Sequence, residues 1–479
     1  MRDHIILYVN GQRRELRGAT VFQSLSDYLR NDLRLTGTKV VCSEGDCGSC
    51  TVLLGCPRNG LVQYHSVCSC VQFVFQADGC HVVTIEGLGC DSDLDPVQAA
   101  LVQHQGTQCG FCTPGIVMSI HALLESDPVL TEQRLRQGLV GNLCRCTGYE
   151  PIMRAGLQVD GSRTMRMNHL FNSPALLDEL TLCRHQPVCL ESAGKIFFKP
   201  SEIADAASFK AVHPDCVIVS GGTDLGVQAN KGVREITTVL STAALAELSE
   251  LRIGDDEILA GANVSIAALE SAATEALPEY AALLIRFGSP QIKNVATLGG
   301  NIANGSPIGD TMPALFVLNA EIELSGVKGS RRVNINDFYT GYKKTVAAAD
   351  ELISQVSIPR LGSGEILKLF KVSKRQDLDI STFSAAIWLK VSGRFIQDVR
   401  IAYGGVAPTI VRLPATEVYL KGRSISSETF ESAREVALSE ISPISDVRGS
   451  AEYRNMLAAN VLRKLYYELN ANQAQASTA

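Results

Sequence analysis

The nine residues Cys42-Ser43-Glu44-Gly45-Asp46-Cys47-Gly48-Ser49-Cys50 decide how the front of this chain is read. Their cysteines fall at C-x4-C-x2-C, the spacing at which plant-type [2Fe-2S] loops hold three of four iron ligands. A loop wrapped round such a cluster must turn sharply and aim backbone N–H groups at inorganic sulfide, and Gly45 and Gly48 reach positive φ without steric cost. A fourth thiolate has to come from downstream, where Cys68 and Cys70 both offer one. A structural zinc loop competes, because C-x2-C is also a zinc half-site. Zinc needs neither the x4 spacing nor three ligands in one glycine-supported loop.

The rest of the composition agrees with metal or redox chemistry. The chain has 479 residues, room for about three domains. Its 46% hydrophobic and 20% charged content lets each domain bury a core. A net charge of -6 with no basic stripe argues against nucleic acid. No apolar run approaches a membrane span, and Ile5-Ile6-Leu7-Tyr8-Val9, followed at once by Asn10-Gly11, reads as a strand rather than a signal peptide. A cytoplasmic location is expected. Fifteen cysteines in such a chain point to metal sites rather than a disulfide framework, and twelve of them lie before residue 147.

On either side of the cysteine loop the pattern predicts a hairpin over 5–17 and a helix capped by Thr20 and running through Asn31. Strands are expected at Thr51–Leu54, 71–75 and 81–85. A helical segment then carries Gln108-Cys109-Gly110-Phe111-Cys112-Thr113-Pro114-Gly115 and Cys144-Arg145-Cys146-Thr147-Gly148-Tyr149. Pro114 and Pro151 stand where helices can begin, so two antiparallel helices would bring a C-x2-C and a C-x-C together. Zinc is again the competing ligand. Residues 156–192 lack a strong period and read as a linker.

From about 193 the pattern turns α/β. Cys216-Val217-Ile218-Val219 leads into Ser220-Gly221-Gly222-Thr223-Asp224-Leu225-Gly226, and Val295-Ala296-Thr297-Leu298 into Gly299-Gly300-Asn301-Ile302-Ala303-Asn304-Gly305-Ser306-Pro307-Ile308-Gly309-Asp310. Such glycine loops let backbone amides close on a pyrophosphate. Neither fits G-x-G-x-x-G, so a Rossmann site is not supported. After 365 come strands at Ala385–Val391 and Val399–Tyr403 and helices at 427–440 and 450–468, read as a packing domain that completes the cofactor site.

Taken together, CSEGDCGSC, QCGFCTPG, GNLCRCTGY, SGGTDLG and GGNIANGSPIGD, in that order on one chain, resemble the iron–sulfur and FAD part of the molybdenum hydroxylases, in the branch that contains the xanthine dehydrogenases. The resemblance covers nearly the whole chain. It implies an α+β multidomain fold: a β-grasp ferredoxin-like domain (1–89), a helical [2Fe-2S] domain (90–158), a linker (159–192), an α/β FAD-binding domain (193–361) and a C-terminal α+β domain (362–472). It implies that Cys42, Cys47, Cys50 and Cys70 hold one cluster, Cys70 rather than Cys68 because of its distance to Thr84-Ile85-Glu86-Gly87. Cys109, Cys112, Cys144 and Cys146 would hold the second.

Gln108 matches a residue that meets the pterin of a molybdenum cofactor carried on another chain. FAD would be held by Ile218, Val219, Ser220, Gly221, Gly222, Thr223, Asp224 and Leu225, with Phe287 and Ile353 near the adenine and Gly299, Gly300, Asn301, Asp310 and Lys371 as further contacts. No His or Cys in either loop offers a covalent attachment. The implied activity is transfer of electrons from a molybdenum-bearing large subunit to FAD and on to NAD+, in a heterotetramer of two small and two large chains. Aldehyde or other N-heterocycle substrates and O2 as acceptor are the alternative, and neither nucleic acid nor membrane is a partner. Val41 stands where the family usually has Gly. Cys56, Cys68, Cys80 and Cys90 have no implied role and are expected as buried free thiols.

Overall fold

Asn10 and Gly11 both take positive φ, 48° and 77°, the geometry of a tight turn between twisted strands. They join Ile5–Val9 to Gln12–Leu16. The computed structural model describes residues 1–89, 93–171 and 173–476, the last five as helix backbone, in two units. One comprises Met1–Ala246 and Gly288–Ala296, the other Glu247–Phe287 and Thr297–Ala479.

The first unit opens with a five-stranded sheet in the order Gln12–Leu16, Ile5–Val9, His81–Val83, Thr51–Arg58, Leu61–Cys68. Only Ile5–Val9 and His81–Val83 run parallel. The helix expected from Thr20 instead starts at Ser24, whose side chain accepts from the Asp27 amide, and its later part is the wider turn Tyr28–Asp32. Residues 71–75 are not a strand. Val71 ends the turn Ser69–Val71 and Val74 and Phe75 begin the turn Val74–Ala77, with Gln72 and Phe73 between them, and all five are buried. Phe75 stacks on Phe73 and on Phe197, with centroids 5.0 and 4.9 Å apart. A short apolar run of this kind carries no period that tells strand from turn.

Cys56 and Cys80 are corrected outright: they form a disulfide, with Cα atoms 4.6 Å apart. The register Leu53↔Val83, Leu54↔Val82, Gly55↔His81 makes them the next facing pair, at the separation of a non-hydrogen-bonded antiparallel pair. Cys68 is buried, as expected, and Cys90 lies outside the described residues.

Helices Pro96–Gln103, Thr113–Ser126, Glu132–Gly138 and Glu150–Leu157 form the next layer. The stretch read as a linker carries the helix Pro174–His185 and the strand Val188–Ser192. That helix buries Leu176, Leu180 and Cys183, a face spaced by four and three residues that polar neighbours hide in the sequence. Val188–Ser192 opens a four-stranded sheet with Lys195–Lys199, Thr238–Ser241 and Val217–Val219. Asp78, from the ferredoxin-like part, takes hydrogen bonds from Arg2 and Lys199 in the interior of this unit.

The second unit has a five-stranded antiparallel sheet, ordered Leu251–Ile253, Glu257–Gly261, Leu352–Pro359, Glu321–Gly326, Gly329–Asn334. It also has the antiparallel sheet Glu365–Val372, Phe383–Ser392, Phe395–Gly404, Val411–Arg412. Helices Ser427–Ser439 and Ala451–Ala476 share a core with the latter through Phe383, Tyr403, Phe430 and Leu462. No helix among the described residues is long and apolar enough to cross a membrane.

Candidate functional site

Three left-handed positions bend the first cysteine loop, Ser43, Gly45 and Gly48 at φ of 55°, 82° and 67°, and the separate short turn Ser69–Val71 carries Cys70. The Cys42 thiol lies next to those of Cys47 and Cys70, and the Cys50 thiol next to those of Cys68 and Cys70. This proximity pulls Cys42 and Cys50 below the ordinary thiol range and pushes Cys47 and Cys70 above it. Cys70 therefore touches thiols from both ends of the loop. Cys68 meets Cys50 and donates its S–H to the Gly45 carbonyl at 3.5 Å.

In the helical part, Cys112 caps Thr113–Ser126 and its thiol meets that of Cys144, while Cys146 meets Cys109. Burial, with Cys144 adding to it, pushes Cys112 up to about 12. Burial would raise Cys144 too, but the Thr147 hydroxyl at 3.2 Å and nearby backbone N–H groups outweigh it and draw it down. Tyr149, a non-glycine residue at φ 69°, folds back so that its hydroxyl accepts from the Cys144 amide at 3.1 Å. The second foursome associates as two pairs, whereas in the first Cys70 links Cys42, which also meets Cys47, to Cys50. Two irons, each taking two thiolates, ask for four thiols gathered at one place, and each foursome supplies them. The donor sets fit [2Fe-2S] clusters. Cys109, Cys146 and Gln108 are exposed, rimmed by exposed Phe111, Leu143 and Tyr149.

The two cysteine loops touch. Leu143, next to Cys144, donates its amide to the Cys47 carbonyl at 3.0 Å. Asn142 donates to the Gly48 carbonyl at 3.2 Å and accepts from Ser119 at 2.7 Å. Gln291 donates to Asn142, Ser119 and Thr51 at 3.0, 3.1 and 3.4 Å. Gly115 lies so close that any Cβ there would overlap the Gly48 carbonyl oxygen. Gly115→Ala is accordingly expected to lower stability by about 1–3 kcal/mol through overpacking and to reduce bound iron. Thermal unfolding and iron analysis check this, and an unchanged protein would contradict the close approach.

The residues expected to hold FAD are divided between the units. In the first, Ile218 and Val219 end the strand Val217–Val219, and Gly222, at φ 69°, caps the helix Thr223–Asn230 that carries Asp224 and Leu225. Gln72 and Gln76 donate to the Gly221 carbonyl at 3.3 and 3.1 Å, and Gln76 also to Ser220 at 3.3 Å. In the second unit, Gly299 and Gly300 are not a loop. They form the first turn of Leu298–Asn304, because Thr297 caps it by accepting from the Gly300 amide at 3.1 Å. Gly299 is packed on Ala262, whereas Gly300 is exposed.

Asp310 accepts from Lys371 and Ser381, all three buried, and Asn301 accepts from the Thr311 hydroxyl. Asn301, Asp310 and Lys371 are thus gathered around Asp310-Thr311. Phe287 follows the helix Pro278–Ile285, and Ile353 faces Leu324 on the strand Leu352–Pro359. As apolar residues they take no part in that network. Ser119, Asn142, Gln291, Thr311 and Ser381 were not foreseen, since lone polar residues carry no spacing signal.

Known proteins show the same parts. Residues 191–361 match the FAD binding domain in molybdopterin dehydrogenase, residues 84–157 a [2Fe-2S] binding domain, and residues 368–469 the CO dehydrogenase flavoprotein C-terminal domain. The chain carries the iron–sulfur and FAD domains of the molybdenum hydroxylases. Among relatives, xanthine dehydrogenase of Emericella nidulans is 30% identical over 98% of this chain and 39% of its own length. Xanthine dehydrogenase 1 of Arabidopsis thaliana is 30% identical over 99% and 40%, and aldehyde oxidase 2 of Macaca fascicularis 31% over 98% and 39%. The chain therefore spans about two fifths of the molybdenum hydroxylases it matches.

Of solved structures, carbon monoxide dehydrogenase from Hydrogenophaga pseudoflava is similar at a TM-score of 0.54 and 25% identity, over 56% of this chain and 93% of that one. CO dehydrogenase from Oligotropha carboxidovorans gives 0.53 and 28%, over 56% and 94%. The multidomain α+β architecture is that of the molybdenum hydroxylases.

Proposed function

We propose that this chain is the electron-transfer subunit of a xanthine dehydrogenase. It would carry electrons from a molybdenum centre on a large partner chain, through two [2Fe-2S] clusters and FAD, to NAD+. Convergence of eight cysteines into two foursomes whose loops are hydrogen-bonded to each other carries the reading.

The ligands are Cys42, Cys47, Cys50 and Cys70, and Cys109, Cys112, Cys144 and Cys146. Cys70 is preferred because its thiol meets two others while Cys68 donates to a carbonyl. When bound, the clusters supply single-electron chemistry and the flavin two-electron, hydride chemistry. The chain's residues hold and orient these groups. Gly221 and Gly222 present backbone amides, the buried Asp310–Lys371 pair fixes a charged, water-poor wall, and exposed Gln108, Phe111, Leu143 and Tyr149 face the partner. A heterotetramer in the cytoplasm belongs to the same proposal. A second reading, an aldehyde or N-heterocycle hydroxylase subunit with another acceptor, is favoured by the 31% identity to an aldehyde oxidase.

The test is a paired assay of the chain alone, with iron, labile sulfide and FAD measured first. About four irons and four sulfides per chain are expected. The lone chain should reduce a dye with NADH and leave hypoxanthine and xanthine untouched. Purine hydroxylation by the lone chain, or zinc in place of iron, would overturn the proposal. Absent NADH–dye activity in flavin-replete material would move the reading to the second.

A further inference from the structure

The helix Thr223–Asn230 rises from the Gly221-Gly222 turn and ends against the first cysteine foursome. Its last side chain, Asn230, donates from one amide nitrogen to two carbonyls, those of Ser43 and Cys70, each at 2.8 Å. Ser43 follows Cys42 directly and is itself in the left-handed region. One side chain therefore ties the backbone beside the first expected ligand to that of the fourth. The helix is pressed close at this end. A Cβ at Gly226 would overlap the Val71 backbone, and Val227 packs on the cluster of Cys50, Cys68, Cys70 and Val71. One residue further on, Lys231 pairs with Glu44 at 3.3 Å.

We propose that Asn230 is a positioning residue for the [2Fe-2S] cluster of Cys42, Cys47, Cys50 and Cys70, fixing its two arms relative to each other and setting the polarity around them. The inference rests on the iron–sulfur reading given under the proposed function. Hydrogen bonding and outer-shell dipoles tune such centres. An N–H dipole beside a centre that gains negative charge on reduction stabilises the reduced form, so loss of the donor lowers the reduction potential.

Asn230→Leu keeps the volume and removes the donor. An EPR-monitored redox titration of the full chain reads both clusters in one sample, and the Cys112→Ser chain identifies which signal belongs to which site. The midpoint of the first site is expected to fall by the equivalent of a roughly threefold to tenfold change in its reduction equilibrium, tenfold being about 59 mV for one electron. The second site should keep its midpoint. Selective loss of the first signal with the second intact would support the same role. An unchanged midpoint and line shape, or equal shifts at both sites, would overturn it. If Asn230→Leu does not accumulate, Asn230→Ser, too short to reach both carbonyls, is judged by the same outcomes. A wild-type chain with no first-site signal would remove the iron–sulfur reading and this proposal with it, which separates that failure from a failure of Asn230 alone.

Discussion

Cys112→Ser is expected to stop substrate-driven NAD+ reduction while leaving NADH-driven dye reduction in place. The Cys112 thiol is half-buried at the start of Thr113–Ser126 and faces Cys144. A serine oxygen is shorter and harder than thiolate sulfur and replaces it poorly on iron. Loss of this centre cuts the proposed route on its molybdenum side and leaves the flavin side whole. Turnover from purine to NAD+ should fall by at least about a hundredfold, some 2.7 kcal/mol of barrier, with one of two EPR signals gone. Wild-type turnover in a Cys112→Ser protein assembled with its partner would show that electrons do not pass this way.

Gly300→Val should empty the flavin site without unfolding the protein. Gly299 could not test this, because its Cα lies against Ala262 and any side chain would disrupt the core. Gly300 is exposed, and a Cβ there meets only the Thr297 hydroxyl at 2.9 Å. A branched side chain displaces the Thr297 hydroxyl that caps this helix but meets no core atom, and it stands where the backbone is proposed to approach a phosphate. FAD affinity should fall at least roughly tenfold, about 1.4 kcal/mol or more, while iron content stays near wild type and the apoprotein loses no more than the roughly 0.5–2 kcal/mol of a helix cap. A Gly300→Val chain purified with its full complement of FAD would refute the placement.

Where the sequence could be read, a spacing had physical meaning. Cys42, Cys47 and Cys50 are locked to one another by loop length, and Asn10-Gly11 by the turn it permits, so both were legible without a structure. The Cys56–Cys80 disulfide was not, because the pairing follows from strand register between segments distant in sequence. Residues 71–75 misled because an all-buried run has no alternation to betray it. The helix Pro174–His185 was missed because its narrow apolar stripe sits among Asp178, Glu179, Thr181 and Arg184. Asp310 and Lys371 came from resemblance alone. That they meet, with Ser381 added, is visible only in three dimensions.

The contact made by Gln291 has a consequence for biosynthesis. Its amide joins Thr51 across 240 residues of sequence and Asn142 across 149. At a translation rate of about 5–20 residues per second, roughly 10–50 s pass between the synthesis of Thr51 and that of its partner. Once Cys146 has been made, the nascent chain holds both cysteine loops and their direct contacts but still lacks the Gln291 side chain that bridges them. The first unit is therefore completed only after part of the second has been made, and a ribosome-bound chain halted before residue 291 presents its eight thiols without that clasp.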